Sequence, residues 1–185
     1  MVVVFLADGF EEVEATAPID IMRRAGIEVE VVGIGSEYIT GSHGITIKAD
    51  VVDSKFVLSK RAELIFLPGG YPGVTNLSKS QVVKNTLLKA KEIGLFITAI
   101  CAAPIILFEN GILNGKQATI YPTMKNELPK EIYSEDAVCN CGNIITARSV
   151  GVSMEFALLL VEKICGKDKS DTIKKSIYML EKGKI

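Results

Sequence analysis

Short apolar runs alternating with longer amphipathic stretches constrain this chain more than any other feature. Val2–Leu6, Leu64–Leu67 and residues 95–100 are apolar runs of strand length, and residues 27–34 alternate in strand fashion. Ile144–Ala147 adds a further strand after the turn-like "CGN". Between them, residues 11–25 read as a helix ended by Gly26, with basic "MRR" near its last turn. Pro18 inside that stretch either kinks the helix or marks the first turn of a later one. Residues 80–93 carry helical spacing at Val82, Val83, Leu87 and Ala90, with Ser78 or Ser80 as candidate cap. Residues 152–165 form an apolar-faced helix stopped by Gly166, and a last helix is expected over residues 170–180.

A βαβα order predicts an α/β fold: a mostly parallel, doubly wound sheet with helices on both faces. At 185 residues the chain reads as one domain, residues 1–185, with a substantial core. In such sheets ligands bind beyond the carboxyl ends of the strands, where strand order reverses. Three strand exits then share one edge: "ADGFEEVE" after the first, "PGGYPG" after Leu67 and "CAAP" after Ile100.

Composition removes several alternatives. The formal net charge is -1, so no basic excess invites nucleic acid or an anionic membrane surface. No apolar stretch approaches the roughly 18 residues of a membrane span. The opening "MVVVFLADGFEEVEA" lacks a basic leader and turns acidic at once, as a first strand does and a signal peptide does not. A cytoplasmic location follows as the expectation, with the four cysteines reduced. His43 is the only histidine, which excludes any mechanism needing two from one chain.

Cys101 sits at the join of a strand and a helix expected to begin near Ala102. Free backbone N–H groups and the positive end of the helix dipole would favour a thiolate there. A tight strand-to-helix turn would also push the side chain outward, as in a nucleophile elbow. The same pattern fits a buried structural cysteine. Gly69 and Gly70 can bring backbone N–H groups close to a ligand and, with that of Ala102, build an oxyanion site; they equally suit an ordinary turn. Glu11, Glu12 and Glu14 complement a helix N-terminus. If Glu14 instead points at Cys101, the two must share one proton, Glu14 protonated and Cys101 deprotonated. His43 lies in a glycine-rich turn placed away from the three strand exits, as a turn histidine or a subunit contact. Cys139 and Cys141, in "CNC", read as part of a hairpin and make a weak soft-metal site. Cys165 reads as core. No metal or other cofactor is expected.

Taken in order and spacing, "EEVEATAPIDIMRRAG", "LPGG", "AICAAP" and "EFALLLVE" resemble the ThiJ/PfpI superfamily, and within it the parkinsonism-associated deglycase branch; "ITARSVG" matches more loosely. The resemblance spans nearly the whole chain. It implies a flavodoxin-like three-layer sandwich, a homodimer, Cys101 as the reactive, oxidisable cysteine, Glu14 as its protonated partner, and Gly70 and Ala102 as backbone donors. It also implies that Pro18 lies within a continuous first helix. Two departures stand out. Many members place a histidine opposite the cysteine in a "THP" segment; here "TIYP" puts Tyr121 there, and a phenol is a weak general base near neutral pH. The peptidase and chaperone-glyoxalase branches follow the cysteine with histidine; here Ala102 follows, which argues against a cysteine-protease triad. Where relatives carry an arginine at the pocket mouth, His43 stands, and with Arg24 it is a candidate anion site. The resemblance implies either detoxification of small aldehydes such as methylglyoxal and glyoxal, or redox sensing in which peroxide converts Cys101 to a sulfinate, with chaperone activity as a further property.

Overall fold

The computed structural model describes residues 1–179. Its strands are β1 (Val2–Leu6), β2 (Val29–Gly33), β3 (Tyr38–Thr40), β4 (Thr46–Lys48), β5 (Val51–Val52), β6 (Leu64–Leu67), β7 (Phe96–Ile100), β8 (Val138–Cys141) and β9 (Ile144–Ala147). Its helices are α1 (Glu12–Arg24), α2 (Gly73–Lys79), α3 (Gln81–Ile93), α4 (Pro104–Glu109), α5 (Ser153–Cys165) and α6 (Lys167–Ser176). Seven strands form one sheet in the order β5-β2-β1-β6-β7-β9-β8, and β3 pairs with β4 in a separate hairpin. All neighbours in the large sheet are parallel except β8, which folds back antiparallel on β9. This is the expected mostly parallel, doubly wound, flavodoxin-like sandwich.

The period of two along β1 separates the two faces of the core. Val2, Val4 and Leu6 pack with Ala15, Ile19 and Met22 of α1 and Phe156, Leu160 and Val161 of α5. Val3 and Phe5 pack on the other face with Val74 and Leu77 of α2, Val83 and Leu87 of α3, and Ile106 of α4. Every residue of β1 and β6 is buried, which is why both read as unbroken apolar runs.

From β1 the chain winds outward to β2 and β5, then returns to β6 on the other side of β1. Strand order therefore reverses between β1 and β6, and their exit loops diverge to leave a crevice. Glu11 N–H donates to the Gly69 carbonyl at 2.9 Å, clipping the two exit loops together. Pro18 lies inside α1, which continues through it. Ser80, rather than Ser78, caps α3 through its side chain. "CNC" is strand β8 of a hairpin, as its pattern predicts. Cys165 departs from expectation: it is exposed, because it ends α5 beyond the part that packs on the sheet. The last helix begins earlier than expected, at Lys167, and position 180 lies outside the described residues.

Candidate active site

Cys101 occupies the turn between β7 and α4 with φ at 63°, in the left-handed region. A side chain there costs about 1–3 kcal/mol unless its surroundings enforce it. They do so from both sides. Cys101 N–H donates to the Ala147 carbonyl at 2.8 Å, and its own carbonyl accepts Tyr121 N–H at 2.8 Å. The elbow is thus clamped between the end of β9 and the Tyr121 segment. The helix starts at Pro104, two residues later than expected, and has six residues. The thiol therefore faces individual N–H groups of a turn more than the dipole of a long helix. Those of Ala102 and Gly70 are directed at it.

Gly70 has φ at 93°, and a Cβ there would collide with the backbone of Phe10 and Glu11. A Cβ at Gly69 would run into the Glu14 carboxyl and Cys101 Cβ. The paired glycines thus let the β6 exit lie directly against both reacting side chains.

Glu14 is only 1% exposed. Glu11 caps α1 by accepting Glu14 N–H at 2.6 Å, which orients the first turn inward. Glu14 Oε2 accepts Gly69 N–H at 3.1 Å, and the carboxyl also meets the Cys101 thiol and Val150 N–H. Burial pushes the carboxyl up to about 7, against the pull of these hydrogen bonds. Burial pushes the Cys101 thiol up as well, followed by the charge of an ionised Glu14, while the Ala102 and Gly70 N–H groups pull it down. With Glu14 at about 7 and the thiol raised further, the pair carries two protons below about pH 7 and a single one, shared between oxygen and sulfur, above it. With that proton on Glu14, the carboxyl no longer opposes a thiolate by charge, and the two backbone donors face the sulfur.

Cys101 and Glu14 open into a cavity of about 590 Å³, lined also by Ser42, His43, Gly70, Tyr71, Ala102, Tyr121 and Met124. His43 is therefore not remote from the strand exits. The β3–β4 hairpin folds back over the N-terminus of α1 and brings it to the cavity. Buried Glu12 secures that hairpin by accepting His43 N–H at 2.6 Å, and its other oxygen lies 2.8 Å from His43 Nδ1. Burial opposes ionisation of Glu12, but the hydrogen bonds from His43 outweigh it and hold the carboxyl at about 2. Glu11, Glu12 and His43 bring potential ligand atoms within 4.8 Å of one another. Both carboxylates are already committed to backbone N–H groups, which disfavours a metal there.

Arg24 does not join His43. It pairs with Asp20 at 2.7 Å near the far end of α1, about 18 Å along the helix axis from Glu12. The proposed anion site is thus absent from a single copy of the chain. Sequence reasoning gave Glu12 only the part of complementing the helix dipole and passed over Ser42, Tyr71 and Val150. The last of these follows β9, a fourth parallel strand whose exit lies on the same edge as the other three.

The model of the DJ-1/PfpI family matches residues 1–163. The chain belongs to this family. A Drosophila melanogaster relative, protein dj-1beta, is 38% identical over 179 residues, covering 95% of each chain. A Caenorhabditis elegans family member named glutathione-independent glyoxalase DJR-1.2 is 31% identical over 171 residues, covering 91% of this chain and 90% of its own. Among solved family structures, Toxoplasma gondii DJ-1, oxidized, superposes with a TM-score of 0.93 at 34% identity, covering 97% of this chain and 98% of the other. Among the described residues, no helix is long and apolar enough to cross a membrane.

Proposed function

We propose that this protein converts small reactive 2-oxoaldehydes such as methylglyoxal to 2-hydroxy acids without glutathione, through Cys101 and Glu14. The observation that carries this is the buried Glu14 carboxyl, held at about 7 and in contact with the Cys101 thiol. The Cys101 thiolate adds to the aldehyde carbon, and Glu14 protonates the resulting alkoxide to give a hemithioacetal. Glu14, now ionised, removes the proton from C1 and returns it to C2 while the C1 hydroxyl proton passes to the C2 oxygen, leaving a lactyl thioester. Water cleaves the C–S bond of that thioester, releasing lactate and regenerating the thiolate. Gly70 and Ala102 N–H groups face oxyanions formed beside the sulfur. The C. elegans relative's name is consistent with this chemistry. The same thiolate attack on an early carbonyl adduct would serve protein deglycation.

The working unit we propose is a homodimer in the cytoplasm, as the family resemblance implies. Val13 and Ile45, exposed beside the Glu12–His43 contact, offer apolar surface to a second copy. Lactate formation from methylglyoxal tests the enzymatic proposal: wild type turns over, whereas Cys101→Ala and Glu14→Gln lose activity by at least about 100-fold. Equal lactate from all three would overturn it.

A second reading is supported by the oxidized state of the T. gondii relative. Peroxide would take Cys101 to the sulfinate, with protonated Glu14 donating to a sulfinate oxygen. Graded peroxide followed by mass spectrometry tests this. Cys101 gains two oxygens before exposed Cys165 does; uniform oxidation of all four cysteines would refute it.

A further inference from the structure

We infer that Glu12 and His43 form a carboxylate–histidine pair in which His43 is the general base for the water that hydrolyses the Cys101 thioester. This rests on the carbonyl chemistry proposed above. Glu14 is ionised at the thioester stage and takes up the acid proton of the product as the cycle closes, and the proton of the attacking water is assigned to a separate base. Tyr121, in place of the histidine of many relatives, offers a phenol.

The geometry is built rather than incidental. Glu12 is 4% exposed and receives His43 N–H and Ser42 Oγ–H, at 2.6 and 3.4 Å, besides facing the imidazole. An ionised carboxylate 2.8 Å from Nδ1 places the ring proton on Nδ1, so the neutral ring presents Nε2 as the acceptor. The hydrogen bonds of the ring among the described residues are all at Nδ1, and His43 lines the cavity that holds Cys101. A buried carboxylate fixing one ring nitrogen of a histidine that lines a reaction space is the arrangement of a base and its orienting group.

Protons and electrons balance. As the water oxygen attacks the thioester carbonyl, its proton passes to His43 Nε2. The tetrahedral intermediate collapses with the C–S bonding pair returning to sulfur, freeing Cys101 thiolate and lactic acid. Lactic acid gives its proton to ionised Glu14, restoring the starting pair, and His43 releases its proton to solvent. One methylglyoxal and one water become lactate and one proton.

The groups that set this titration are few. Glu12 and Glu11 face His43 from α1, Ser42 adjoins it, and Cys101, Glu14, Tyr71 and Tyr121 share the cavity. The Glu12 hydrogen bond and charge raise the imidazole above its ordinary value against an opposing desolvation, with a lesser contribution from the charge of Glu11.

Rapid-quench kinetics with methylglyoxal separate the steps. His43 is largely exposed, so His43→Gln leaves the core intact. Expected is a first turnover that loads Cys101 as fast as in wild type, steady-state turnover slowed by about 100-fold or more, and accumulated lactyl thioester on the Cys101 peptide. Free imidazole should restore turnover in this variant. Wild-type turnover should rise with pH through a titration above the ordinary histidine range, a limb missing from His43→Gln. Unchanged turnover and no accumulating adduct in His43→Gln would overturn the assignment while leaving the Cys101–Glu14 chemistry standing. A wild type that never loads Cys101 would overturn both, and that failure shows in the wild type alone.

Discussion

Replacing Glu14 by Gln should abolish a pH dependence of stability whose size follows from the site. In the unfolded chain the carboxyl loses its proton near 4.5, but in the folded protein near 7. Between those values the folded state binds the extra proton. Folding stability is therefore fully present below about pH 4.5 and declines as pH rises to about 7. At about 1.4 kcal/mol per pH unit, the loss is about 3 kcal/mol. Across that window the extra proton leaves both carboxyl and thiol protonated, and the one-proton pair from which a thiolate can form exists only above about 7. Above the thiol's unfolded value of 9.0 the raised Cys101 gives a second decline. Urea unfolding of wild type and Glu14→Gln, at half-unit steps from pH 4.5 to 8, reads the effect as the difference between two curves. Contributions from Glu12 and His43 cancel in that difference. Stability of wild type relative to the variant should fall by about 3 kcal/mol across the range. Parallel curves would mean that the Glu14–Cys101 pair takes up no extra proton on folding, and the carboxyl value of about 7 would be refuted.

Further consequences can be read separately. Gly69→Ala forces a methyl against Glu14 and Cys101 and should destabilise by about 1–3 kcal/mol, with iodoacetamide alkylation of Cys101 showing an altered pH profile. Cys101→Gly should be more stable than Cys101→Ala by about 0.5–1 kcal/mol, since a side chain at φ 63° carries strain that outweighs glycine's greater unfolded freedom; denaturant midpoints decide it. Glu12 is depressed to about 2, so its contribution is present above pH 4.5 and lost as pH falls through 2. Glu12→Gln should remove that acid limb and speed amide hydrogen exchange at His43 and Ile45, both of which donate to Glu12.

Legibility followed the range of the forces involved. Leu64–Leu67 was readable to the residue because burial on both faces writes itself as an unbroken apolar run, and Ile144–Ala147 because a turn-like "CGN" precedes a short, fully buried, largely β-branched stretch. The Cys101 elbow was readable because one chain segment carries strand, thiol and helix start together. The hairpin of β3 and β4 was not. Its strands have three residues each, too few to show a period. His43 was therefore set apart from the site, although a buried carboxylate 31 residues earlier holds it there. Glu12 looked like dipole compensation for the same reason: its partners are distant in sequence. Arg24 was grouped with His43 through resemblance, while the length of α1 separates them within one copy. Cys165 has the phase of a core residue but stands at the last turn, where the helix has run past the sheet.

The central claim is that Glu14 moves a proton between two carbons of a substrate held on Cys101. The enantiomeric composition of lactate made from methylglyoxal tests it most directly. One enantiomer in large excess from wild type, lost in both Cys101→Ala and Glu14→Gln, is the predicted result. Racemic lactate from wild type, or a single enantiomer that survives Glu14→Gln, would contradict it.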